Sequence, residues 1–141
     1  MKLTIIIPVY NEEKTIGAVI QKVMCQSLPA QIISREVVAV DDGSIDGTAG
    51  ILKGLLREYP GRLVVLTHDK NQGKGAAIAS AVAQVSGDVV IIQDADFEYD
   101  PADYLLLLEP VVSGRADVVY GSRFTGQQAK RVLYFWHYLG N

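Results

Sequence analysis

Asp94, Asp96 and Glu98, in the run Asp-Ala-Asp-Phe-Glu at 94–98, carry the clearest chemistry in this sequence. They follow an apolar stretch that reads as a buried strand. If the extended conformation persists, residues two apart project to the same side, so the three carboxylates share one register. Two carboxylates about 4 Å apart repel by roughly 1 kcal/mol in water and roughly 4 kcal/mol at an effective dielectric near 20. Compensating positive charge is therefore expected. A hard divalent cation, Mg2+ or Mn2+, suits the position, because such ions take oxygen ligands and are commonly held by one or two carboxylates, leaving places for substrate phosphates and water. The competing reading is a solvated acidic turn that caps the next helix, a role that fits Asp100 and Asp103.

A second acidic pair, Asp41 and Asp42, closes another apolar strand and opens into Gly43-Ser44-Ile45-Asp46-Gly47-Thr48. Ser44, Asp46 and Thr48 are ordinary turn and capping residues. Two adjacent acids after an apolar strand are less ordinary, and one of them can accept hydrogen bonds from a nucleobase or ribose. The glycines around Lys74, in Asn-Gln-Gly-Lys-Gly at 71–75, match neither the P-loop spacing nor the GxGxxG fingerprint. Close packing of loop on helix accounts for them, with Lys74 available to an anionic ligand. Arg123, after a further apolar run, has the planar fork that binds phosphate bidentately; a surface salt bridge is its plainer use. His68 reads as a loop residue, His137 as a helix-surface residue and Cys25 as a packed or exposed thiol. No His or Cys set has zinc spacing.

These residues need elements to hold them. Short β-branched runs at 3–9, 36–40, 63–67, 89–93 and 117–120 predict five strands. Between them lie amphipathic stretches: Ile16, Val19, Ile20, Val23 and Met24 on one helix, Ile51, Leu52, Leu55, Leu56 and Tyr59 on the next, and an alanine-rich helix at 76–85. Asn11 is expected to cap the first helix, with Glu12 and Glu13 in its first turn. Asp100 and Pro101 are expected to open a fourth helix, which Pro110 ends or kinks. Strand and helix alternate and the strands are almost wholly apolar, which predicts a three-layer α/β/α fold on a mostly parallel sheet. Such sheets bind ligands beyond the carboxyl ends of their strands. Pro8 to Glu12, Asp41 to Ser44, Asn71 to Lys74, Asp94 to Glu98 and Arg123 all fall there.

The 141 residues suit one domain, and 49% hydrophobic against 21% charged residues exclude a disordered chain. A net charge of -3 argues against nucleic acid as the partner. Five of the sixteen acids lie between Asp94 and Asp103 with no Lys or Arg among them, so the negative charge is local. No apolar run approaches the roughly 18 residues of a membrane span. One cysteine and no leader-like start predict a cytoplasmic setting. Tyr134, Phe135, Trp136 and Tyr138, beside Lys130 and Arg131, suit either internal packing or peripheral contact with the cytoplasmic face of a membrane.

Taken together, IIIPVYNEEKTI, VDDGSIDGT, NQGKGAAI, DADFEYDP and YGSRF resemble glycosyltransferase family 2, in particular its dolichyl-phosphate mannosyltransferase and polyprenyl-phosphate glucosyltransferase type. The resemblance implies a GT-A fold and inverting transfer from GDP-mannose or a UDP-sugar to an acceptor, with polyprenyl or dolichyl phosphate favoured. It implies that Pro8, Tyr10 and Glu12 line the nucleotide site, with Val40 and Asp42 beside base and ribose. Asp94, Ala95 and Asp96 would form the diphosphate segment, with Asp94, Asp96 and Glu98 at the metal. Asp96 and Arg123 would be the catalytic residues, Arg123 meeting phosphate. Family members usually continue well past this point, so residues 1–141 are expected to be a single donor-binding domain lacking its acceptor side. The alternative is a nucleotide-sugar-binding module without catalysis. A phospho-acceptor domain would place its acid pair after the first strand, and a dehydrogenase would carry the glycine fingerprint; neither fits.

Overall fold

The computed structural model of the chain describes residues 1–121. Arg123, the predicted helix at 130–139, its aromatic cluster and His137 lie outside them. Four strands, β1 (Lys2–Val9), β2 (Ser34–Asp41), β3 (Leu63–Thr67) and β4 (Val89–Ile92), form one sheet in the order β3-β2-β1-β4. All three pairings are parallel, with Ile5 opposite both Val37 and Ile91. Helices α1 (Ile16–Cys25), α2 (Thr48–Glu58) and α3 (Lys74–Val82) make the crossovers, and α4 (Tyr104–Val112) follows β4.

Strand alternation sorts the core into two layers. Leu3, Ile5, Ile7 and Val9 of β1 pack with Val37, Ala39, Ile16, Ile20, Leu52 and Leu108, beneath α1, α2 and α4. Ile6, Val38 and Val40 face the other way, against Ala77 and Ala81 of α3. The fold is thus three-layered, and its small α3 residues let that helix lie close to the strands.

Several local expectations change. Asn11 does not cap α1; it adopts φ 55°, a left-handed conformation that asparagine tolerates, and α1 begins after Thr15. Asp100 does cap as expected, accepting Ala102 N–H at 2.9 Å ahead of a 3-10 turn at Pro101–Asp103 that runs into α4. Pro110 lies inside the last turn of α4 without ending it at that residue. The run 117–120 is not a strand: Val118 and Tyr120 are 65% and 90% exposed, and no described residue pairs with them. An apolar run becomes a strand only when a ladder satisfies its backbone.

At the opposite edge from the predicted site, Glu36 is buried among donors. Thr4 Oγ1 donates to Oε1 at 2.7 Å, Ser86 contributes its N–H and hydroxyl, and Lys2 Nζ lies 2.5 Å from Oε2. Burial opposes the charge, but the bonds from Lys2, Thr4 and Ser86 outweigh it and hold the carboxyl at about 2, against an ordinary 4.5. A depressed folded-state value stabilises the fold above pH 4.5 and loses that stabilisation as pH falls through 2. After discounting for the partly exposed Lys2, the contribution is on the order of 2 kcal/mol. Urea unfolding of wild type and Glu36→Gln should therefore differ by about that amount at pH 7 and converge near pH 2; a gap that stays constant with pH would contradict the assignment.

Candidate functional site

A cavity of about 290 Å³ opens at the carboxyl ends of β1, β2 and β4. Pro8, Tyr10, Glu12, Asp42, Lys74, Asp94, Ala95 and Asp96 all line it, together with Val9, Asn71, Gly73 and Ala77. Two expected residues do not. Val40 is fully buried in the layer facing α3, because its side chain points into the sheet's own core. Glu98 is exposed and absent from the lining.

The wall from β1 is held by reciprocal bonds with the loop after β2. Asn11 N–H donates to Ser44 Oγ at 2.9 Å while Ile45 N–H donates to Asn11 Oδ1 at 2.9 Å. Glu12 N–H donates to Thr48 Oγ1, and Gly47 N–H to Glu13 Oε2. Residues that look like helix caps in the sequence thus tie two strand ends together. Gly43, at φ 72°, makes the next close approach, since a Cβ there would lie 2.6 Å from the backbone of Lys70.

Asp42 fixes the loop after β3. Its buried carboxylate accepts Gln72 N–H at 3.0 Å and Gly73 N–H at 2.7 Å, and His68 Nδ1 lies 2.6 Å away. Burial opposes ionisation, but the His68 bond and the two N–H groups prevail and hold Asp42 below the usual carboxylate range. An ionised carboxylate offers about four acceptor sites. The loop occupies most of them, so Asp42 shapes the cavity more than it offers itself to a base or ribose. His68 was legible only as a loop residue; the available signal is its place just beyond β3, beside the end of β2, where His68 N–H continues the ladder to Asp41 O at 2.9 Å.

The acids after β4 do not keep the extended register. Asp96 Oδ1 accepts Glu98 N–H at 2.9 Å, a tight turn that carries Glu98 away while Asp94 and Asp96 stay on the cavity. Positive charge is present at Asp94, where Lys74 Nζ lies 2.5 Å from Oδ1. Behind them, buried Gln93 donates through Nε2 to the carbonyls of Asp94 and Tyr99, and Tyr104 donates its hydroxyl to Gln93 Oε1 at 2.8 Å. Burial raises the Tyr104 pKa, which keeps it a donor. Gln93 and Tyr104 brace the turn, and nothing local in the sequence pairs them.

Among the described residues no three His, Cys, Asp or Glu groups converge as a metal cage. Two carboxylates on an open cavity still fit a hard cation whose remaining positions are filled by substrate phosphate and water. They do not fit a closed structural site.

Residues 4–138 match the glycosyl transferase family 2. The chain belongs to this family. Among family relatives, the undecaprenyl-phosphate 4-deoxy-4-formamido-L-arabinose transferase of Yersinia enterocolitica is 31% identical over 115 residues, 80% of this chain and 34% of that protein. The dolichol-phosphate mannosyltransferase of Pyrococcus furiosus is 32% identical over 124 residues, covering 88% of this chain and 34% of the relative. The chain thus spans about a third of the length of these curated relatives. Among solved structures, a mannosyltransferase from Pyrobaculum calidifontis in complex with GDP-Man and Mn2+ superposes with a TM-score of 0.59 at 32% identity, over 67% of this chain and 27% of that one. The four parallel strands and covering helices are those of a GT-A glycosyltransferase fold, as the family 2 motifs imply.

Proposed function

We propose that this family 2 chain binds a nucleoside diphosphate sugar in the 290 Å³ cavity and that the enzyme to which it belongs passes the sugar, with inversion, to a polyprenyl phosphate. The observation that carries the reading is the convergence of Asp94 and Asp96 with Lys74 on one cavity at the strand ends. The relatives act on undecaprenyl and dolichol phosphates and the similar solved structure holds GDP-Man and Mn2+, which supports both halves.

Departure of a nucleoside diphosphate builds negative charge on its leaving oxygen. Mg2+ or Mn2+ held by Asp94 and Asp96 would supply Lewis-acid stabilisation of that charge. Lys74, whose side chain is 58% exposed, is long enough to turn from Asp94 to a phosphate, and Arg123 is assigned the same task from its motif. Tyr10 presents a half-exposed ring at the mouth, suited to cover a nucleobase. A phosphate acceptor is already ionised at neutral pH, so this chain needs no strong general base. No helix among the described residues is long and apolar enough to cross a membrane, and contact with a membrane-borne acceptor is proposed to be peripheral, at the cytoplasmic face.

Because the chain spans a third of its relatives, binding without transfer is the second reading. A thermal-shift panel of UDP-, GDP- and dTDP-sugars with and without Mn2+ separates the outcomes. One donor at about 100 times its Kd should raise Tm by roughly 5–10 °C, and only with Mn2+. No shift with any donor overturns the reading; a shift without transfer or slow donor hydrolysis selects the binding module.

A further inference from the structure

Asp42, His68 and Ser80 form a continuous chain across three elements. His68 Nδ1 lies 2.6 Å from Asp42 Oδ1, and His68 Nε2 lies 2.9 Å from Ser80 Oγ on α3. The His68 and Asp42 side chains are 12% and 4% exposed, so water does not substitute for either contact. This order of groups is also that of a nucleophilic serine site. Ser80, however, does not line the cavity, so no substrate reaches its hydroxyl there.

We infer that His68 is the positioning residue of the donor cavity: it is locked as the Nδ1–H form between Asp42 and Ser80 and thereby holds the 71–73 loop in its ligand-ready shape. The inference rests on the nucleotide-sugar reading above. An ionised Asp42 only accepts, so Nδ1 must carry a proton; the opposite neutral tautomer would set a ring lone pair against carboxylate lone pairs at 2.6 Å. With Nδ1 protonated, neutral His68 accepts from the Ser80 hydroxyl at Nε2. The ring is then held at both ends and cannot flip.

Its effect reaches the ligand through Asp42. The same carboxylate receives Gln72 N–H and Gly73 N–H, and Gly73, at φ 92° and ψ 157°, turns the chain into α3 at Lys74. Asn71, Gly73 and Lys74 line the cavity. Freeing the Asp42 carboxylate to rotate therefore loosens three wall residues at once, while the Asp42 backbone, just after β2, keeps its bond to Val9 O.

His68→Ala removes the brace. His68→Asn keeps an amide donor where Nδ1–H stood, whereas His68→Gln places its amide nearer the Nε2 position and restores only the Ser80 side. Losing a charge-assisted bond predicts about a tenfold weaker Kd for the Mn2+-nucleoside diphosphate that wild type binds, measured by calorimetry, in the Ala and Gln variants. The Asn variant should recover to within about threefold. Equal Kd in all four proteins, or a Tm loss shared by Ala and Asn without this split in Kd, overturns the inference.

A second measurement needs no ligand. Long-range 1H–15N spectra should place the His68 proton on Nδ1, and amide exchange at Gln72 and Gly73 should speed about tenfold in His68→Ala and return toward wild type in His68→Asn. A proton on Nε2, or unchanged exchange, also overturns it. If wild type binds no nucleotide while these spectra hold, the functional reading fails and the brace stands.

Discussion

Asp96→Ala is expected to lower sugar transfer, or slow donor hydrolysis, by about a thousandfold or more. Losing one of two carboxylates for a hard cation removes several kcal/mol of stabilisation from the departing diphosphate, and each 1.4 kcal/mol is tenfold in rate. Asp94 alone would offer the cation one carboxylate in place of two. The fold should barely register the change: Asp96 accepts Glu98 N–H, a bond worth about 1 kcal/mol. The variant is therefore checked by kinetics with a Mn2+ titration, beside a melting curve. Activity within tenfold of wild type, at a Tm near wild type, would remove Asp96 from the site.

The largest effect on stability belongs to Gly43→Ala. At φ 72° an L-residue carries roughly 1–2 kcal/mol of backbone strain. Its Cβ would also lie 2.6 Å from Lys70 C and 2.7 Å from Asn71 N, which are backbone atoms that cannot rotate away. Together these predict a loss of about 3–5 kcal/mol in denaturant unfolding. Gly54→Ala is the internal comparison, since it sits in α2 with nothing within 4 Å of an added Cβ. It should stabilise by about 0.5–1 kcal/mol. A Gly43→Ala cost under 1 kcal/mol would mean that the two loops are not pressed together as described.

The contrast between these glycines shows what a sequence displays and what it hides. Parallel strands, helix stripes and the ligand edge follow from periodicity and strand-end residues, so Pro8, Tyr10, Glu12, Lys74, Asp94 and Asp96 are legible as neighbours in the sequence itself. Val40 was not separable from them, because facing inward or outward at a strand end turns on a single residue of register. Glu98 followed a period-two rule that ends where the chain bends at Asp96. Asn11, Glu13, Ser44 and Asp46 carry local capping signals, yet they bond across 33 or 34 positions of sequence. Gln93 with Tyr104, and Asp42 with His68, are side-chain pairs created by packing, and no spacing rule announces them.

The strand order β3-β2-β1-β4 sets the chain leaving β1 to one side of it and the chain entering β4 to the other. One wall of the cavity, with Tyr10, Glu12, Asp42, Asn71, Gly73 and Lys74, therefore belongs to the first excursion, and the other, residues 94–96, to the second. Each wall closes on its own bonds, and among the described residues Lys74 with Asp94 is an ion pair that joins them. On the proposed reading, the first wall would face the base and the second the diphosphate, with Lys74 reaching across between them. Changes in one loop set are then expected to reach the other chiefly through the Lys74–Asp94 pair.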